Sequence, residues 1–180
     1  MTNLVTTDQP TGLDDNIVLR SSRGEVIAGK PPLFGSASAR AALGMEAEAY
    51  VARASEMMDR ARAIVHSDRV RAIDLLQAKR VRLCEHFTRY QRFKHTQIFN
   101  PIIVHAPASS KVVARTMKID CMELGETFAA YHNRWLGMRP KEWPAYRRDM
   151  LSTTEMMQTS INAEIRAIRQ LLMISDLYAD

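Results

Sequence analysis

The stretch Lys111–Trp135, KVVARTMKIDCMELGETFAAYHNRW, decides the fold class. Its apolar residues Val113, Met117, Cys121, Leu124, Phe128, Tyr131 and Trp135 step by four and three. That spacing keeps one face of an α-helix turned to a core, because about 3.6 residues complete a turn. No proline interrupts the run. Ser109 or Ser110 ahead of it can start the helix by accepting hydrogen bonds from its free first-turn N–H groups. LGMRPKEWP, with Pro140 and Pro144, closes it.

Proline placement carries the reading outward. Pro10, Pro31, Pro32, Pro101, Pro107, Pro140 and Pro144 leave the spans 33–100, 108–139 and 145–180 free of proline. An interior proline removes a helical hydrogen bond, so long helices belong in those spans. From Ser38 onward, Leu43, Ala47, Tyr50, Ala54, Met57, Ala61 and Ile64 form a stripe of the same period. HSDR, His66–Arg69, interrupts it and offers Ser67 or Asp68 as cap for a second helix. There Ile73, Leu76, Leu83, Phe87 and Tyr90 share a face, and Pro101 and Pro107 bracket a loop in FNPIIVHAPASS. A last helix runs from about Ala145 with Met150, Met157, Ile161, Ile165, Ile168 and Leu172 inward. Four amphipathic segments with short connections bury their stripes best as antiparallel neighbours. The spacing therefore predicts an all-α, up-down four-helix bundle over residues 37–180.

Residues 1–36 mix glycine, proline and polar side chains without sustained period, which predicts a loose or partly disordered arm. Val26, Ile27, Leu33 and Phe34 in VIAGKPPLF are its residues suited to packing over the bundle. Of the 180 residues, 46% are apolar and 25% charged, the balance of a soluble globular chain. No leader-like N-terminus and no apolar run of about 18 residues stand in the sequence, so neither secretion nor a membrane span is expected. Two cysteines, Cys84 and Cys121, fall short of a disulfide framework and suit a reducing cytoplasm. The net charge of +5 permits an acidic partner without requiring one.

Residues of about 40 to 178 resemble the bacterial hemerythrin-like (HHE cation-binding) domain family. The resemblance rests on SINAEIRAIRQLL (Ser160–Leu172), IFNP (Ile98–Pro101), Asp120–Cys121 and FAAYHNRW with EWPAYRRD, in the family's order. It implies a four-helix bundle with a non-haem di-iron frame whose His and carboxylate ligands point inward. In that frame Ser160 stands at a His position and Glu164 at an acidic one, with Ile165 at the next. Tyr90 or Gln91 stands at another His position, Lys94 or His95 at a Glu position, and Asp120 and Cys121 at an acidic-then-His pair. Ser, Tyr, Lys and Ile cannot supply the ligand set iron needs. The resemblance thus implies a degenerate member with no iron cofactor. Glu164, on an inward stripe without a metal, then needs a positive partner, solvent or a proton.

The remaining constellations have ordinary readings. Cys84, Glu85 and His86 are adjacent on a helix and diverge by about 100° each, so they form no cluster. Zinc shared by Cys84 and Cys121 with His86 or Asp120 has no local spacing to support it. His132 near a helix end suits the helix dipole, His95 and His105 read as solvated, and the methionines fill core gaps. Between Arg69 and Lys94, eight basic residues face only Asp74 and Glu85. Lys79, Arg80, Arg82, Arg89 and Arg92 make that helix a candidate surface for an acidic partner. The expectation is a non-enzymatic regulatory or signalling module acting on another protein, with self-association open. The alternatives are a redox-responsive protein with a metal site rearranged among Glu164, Asp120, Cys121 and His95, and a weak nucleic-acid binder. The last lacks a groove-entering motif or stacking aromatics.

Overall fold

The structure, a computed structural model, describes residues 19–20, 26–27, 32–67 and 70–174. The chain divides into two units, Met1–Pro31 and Pro32–Asp180. In the first, β1 (Leu19–Arg20) pairs antiparallel with β2 (Val26–Ile27), Leu19 opposite Ile27 and Arg20 opposite Val26. The rest of the expected arm up to Pro31 lies outside the described residues.

The second unit is helical. Helix α1 (Ala37–His66) begins where the Ser36 hydroxyl accepts from the Ala39 N–H at 3.2 Å. Leu33 and Phe34, just ahead, pack against the core. Ser67 does not cap the second helix. Its hydroxyl donates to the Ile64 carbonyl at 2.6 Å and closes the first, while Asp68 lies outside the described residues.

A 3-10 turn, Val70–Ala72, leads into α2 (Ile73–Phe93). The chain then continues without a break through a π-helical segment, Lys94–Phe99, into α3 (Asn100–His105). Pro101 therefore lies inside a helical rod and borders no loop. It is the second residue of α3, directly after the π-helical turn. Only Ala106 and Pro107 separate α3 from α4 (Ala108–Arg134), which begins without a side-chain cap, and Ser110 is buried instead of capping. Gly137, at φ +64°, turns the chain toward a 3-10 turn, Pro140–Glu142, and α5 (Trp143–Ile174).

The four long helices close a ring of contacts: α1 on α2, α2 on α4, α4 on α5, and α5 back on α1. Between α1 and α5, Arg169 donates to Glu48, Gln158 to Ser55, and Arg62 to Thr154. Between α2 and α4, Arg80 meets Trp135, Phe87 meets Phe128, and Gln91 lies against Gly125. Small side chains set the inward line of α1, through Gly44, Ala47, Ala54 and Ala61 with Val51, Met58 and Val65. Leu43, Tyr50, Met57 and Ile64 flank that line and are only partly buried. At the start of α4, Ser110 and Ala114 take the inward places and Val113 is 42% exposed. Among the described residues no helix is long and apolar enough to cross a membrane.

Candidate functional site

Tyr90 follows Leu83 and His86 along the inward face of α2 and is 1% exposed. Immediately after α2 the backbone widens into the π-helical turn. Phe93 and Lys94 are both buried, and so are Ile98 and Phe99. Lys94, four residues after Tyr90, comes inward on the same face one turn beyond it.

There the Lys94 ammonium meets Glu164 of α5, with Nζ to Oε1 at 2.5 Å and side chains 4% and 11% exposed. The ammonium also lies 4.1 Å from the centre of the Tyr90 ring, a cation–π arrangement. Cys121 of α4 completes the group. Burial pushes its thiol up in pKa, with Lys94 opposing and Glu164 adding to the rise. Burial likewise pushes the Tyr90 phenol far up, Glu164 and Cys121 reinforcing it, so this hydroxyl stays protonated. Two polar atoms here have no partner: the Tyr90 hydroxyl and Glu164 Oε2.

Four of the frame positions thus converge: Tyr90, Lys94, Cys121 and Glu164. The others lie at the edge of this group. Gln91 is half-buried beside Gly125 and lines one cavity with Tyr90, Lys94 and Cys121, whereas Asp120, exposed, and Ser160, half-buried, line a second with Cys121 and Glu164. His95 is half-buried against Phe99, its Nε2 unpartnered, so it is not the solvated residue expected. Burial lowers its pKa, and Lys118 and Lys94 lower it further. His105 is exposed. Among the described residues no three His, Cys, Asp or Glu side chains gather as a metal ion requires.

The Cys84–Glu85–His86 trio diverges as its helical spacing demands. Glu85 is exposed, while His86 turns to α1 and donates from Nε2 to the Tyr50 carbonyl at 2.8 Å. Cys84 and Cys121 are free thiols on one cavity.

On the basic helix, Arg82, Arg89 and Arg92 are exposed and Lys79 is half-buried. Arg80 does not belong to that surface: it is 4% exposed. Its guanidinium donates to the Trp135 carbonyl at 2.6 Å and to the Tyr146 hydroxyl at 3.4 Å, at the C-terminal end of α4. Carbonyls left free by that helix end, and the faces of Tyr131 and Tyr146 about it, replace a carboxylate partner. The signal was in the spacing. Arg80 fills the gap between Leu76 and Leu83 on the apolar stripe.

His86, His95 and His132 are all held below the ordinary histidine value of 6.5, burial being the largest cause in each. For His86 the bond to Tyr50 opposes the drop, and Arg89 and Arg53 add to it. The unfolded chain therefore binds protons more readily than the folded one as pH falls through 6.5. Their contribution is fully present above that pH and is lost below it. Melting temperature should fall between about pH 7.5 and about pH 5. His86→Gln, which keeps a donor toward Tyr50, should flatten part of the slope; an unchanged slope would remove His86 from the account.

Comparison of the chain with protein-family models, curated proteins and solved structures finds no match.

Proposed function

We propose that this chain is a non-enzymatic regulatory module, an up-down four-helix bundle on a hemerythrin-like frame, acting through its surface on another protein. The observation that carries the reading is the buried Lys94–Glu164 pair at the place where the frame holds metal ligands. Glu164 needs a cation there, and an ammonium supplies it. A metal ion entering the same space would meet that positive charge and would have to displace it.

The up-down arrangement is supported by the order of the helix contacts. Residues 48, 55 and 62 of α1 meet 169, 158 and 154 of α5, and residues 80, 87 and 91 of α2 meet 135, 128 and 125 of α4. In each pair one helix climbs as the other descends. Exposed Arg82, Arg89 and Arg92 form the surface offered to an acidic segment of the partner. Free thiols at Cys84 and Cys121 are consistent with a reducing cytoplasm.

The test is elemental analysis and an absorption spectrum on protein purified without chelator. The expected result is no stoichiometric iron and the same melting curve in excess chelator. Two iron atoms per chain, with a charge-transfer band lost on chelation, would favour a site rearranged among Glu164, Asp120, Cys121 and His95.

A further inference from the structure

Helix α4 carries a second apolar line, turned away from the core. Ala114, Met117, Cys121, Phe128 and Tyr131 make up its buried side. On the other side Val112, Arg115, Ile119, Met122, Glu126 and Ala129 step by three and four, the spacing of a coiled-coil seam. All six are exposed, the large apolar ones heavily: Val112 60%, Ile119 55% and Met122 45%. Met122, Glu126 and Ala129 also edge, with Thr88 of α2, the open rim of the cavity between α2 and α4. A helix face that only meets water needs no apolar residues in register along several turns; a partner helix does.

We propose that this face of α4 pairs with the same face of a second copy, antiparallel, about a twofold axis at the Asp120–Cys121 peptide. The placement of two charges identifies the occupant. Arg115 and Glu126 are eleven residues apart, which returns them to one face but about 16 Å along the helix, too far to meet within one chain. Neither belongs to an ion pair among the described residues. About the proposed axis Arg115 lies opposite Glu126 of the second copy, Ile119 opposite its Met122 and Val112 opposite its Ala129. The twofold repeats every contact, so both charges are matched and the apolar residues meet one another.

Other arrangements of the same face lose this match. Parallel pairing in register sets Arg115 on Arg115 and Glu126 on Glu126, like charge on like. An antiparallel register one heptad away sets Arg115 against Ile119, or Glu126 against Met122, and covers a charge with an apolar side chain. An acidic segment would satisfy Arg115 and oppose Glu126, whereas a second copy answers both. Contact through one helix, over about 27 Å, falls below the size of a permanent interface, so the dimer is weak and reversible. The inference is independent of the hemerythrin-like resemblance and of the surface formed by Arg82, Arg89 and Arg92.

Sedimentation equilibrium of the full chain, from about 5 to about 500 µM, is the test. It should show a reversible monomer–dimer equilibrium with a Kd of about 10–100 µM. Ile119→Glu, at an exposed site beside the axis, should weaken the dimer by about twentyfold or more and leave the melting temperature of the dilute chain unchanged. Arg115→Glu and Glu126→Arg should each weaken it by about tenfold, since either sets two like-charged pairs face to face. The two reversals together should return the Kd to within about threefold of the original, because the exchange restores both pairs. A monomer at every concentration overturns the proposal, and so does a dimer that Ile119→Glu leaves intact. It is equally overturned by single reversals without effect, or by a double variant no tighter than the singles.

Discussion

Lys94→Met is expected to destabilise the protein by about 3–5 kcal/mol in denaturant melts near neutral pH. The substitution preserves much of the side chain's length and removes its charge. Glu164 is then left buried with no cation and with Oε2 already unpartnered. In the variant the carboxyl is better accommodated neutral, so the folded form takes up a proton more readily than the unfolded one. The deficit should therefore grow as pH rises and shrink as pH falls toward about 4. Glu164→Leu strands the ammonium instead and should cost a similar amount. Lys94→Met combined with Glu164→Leu should recover most of the loss, because removing both charges removes the desolvation cost of each. If both single variants lost less than about 1 kcal/mol, the pair would be solvated and its place at the centre of the site would be wrong.

The helices were legible because burial on one face writes its period into the sequence. Met117, Cys121, Phe128 and Tyr131 are buried as their spacing predicts, and so are Met150, Met157, Ile161, Ile165 and Ile168. The facing of α1 was legible only in part. Ala47, Ala54 and Ala61 of the expected stripe are buried, whereas its large members Leu43, Tyr50, Met57 and Ile64 are only partly buried, and Gly44, Val51, Met58 and Val65 take the remaining inward places. Small residues permit the tightest contact of helices, and a stripe drawn through their large neighbours is rotated away from it.

The site was half legible. Glu164 lies between Ile161 and Ile165 on an inward stripe, so its need for a positive partner, solvent or a proton followed from its position. That Lys94 fills the need did not follow. Phe93 and Lys94, three and four residues after Tyr90, flank its face, but a lysine on that face is assigned to solvent unless its partner on a distant helix is visible, and the π-helical widening that follows has no marker in KHTQIF. Arg80 was misplaced for the same reason. Its partners are a helix-end carbonyl and two aromatic faces contributed by distant residues. Tertiary contacts of that kind are not encoded in local spacing.

Phe128→Ala should cost about 3 kcal/mol, the lower part of the range for deleting a buried phenylalanine. Phe128 is 3% exposed, with Phe87 edge-on at 5.3 Å and Tyr131 at 5.7 Å. Its ring supplies both burial and aromatic contact between α2 and α4, and both are lost in alanine. The second component of such a loss is the void left behind, which costs most when it is sealed and dry. Phe128 borders the cavity that opens at the Thr88–Glu126 rim, so the vacated space joins a volume that water can enter. That connection lowers the cavity penalty and leaves the transfer term dominant. Phe128→Leu, which retains most of the apolar volume, should cost less than about 1.5 kcal/mol. Urea melts of the two variants measure both quantities. A loss below about 1 kcal/mol for the alanine variant would mean that α4 presents another face to the core; a loss above about 5 kcal/mol would mean that the void is sealed from solvent.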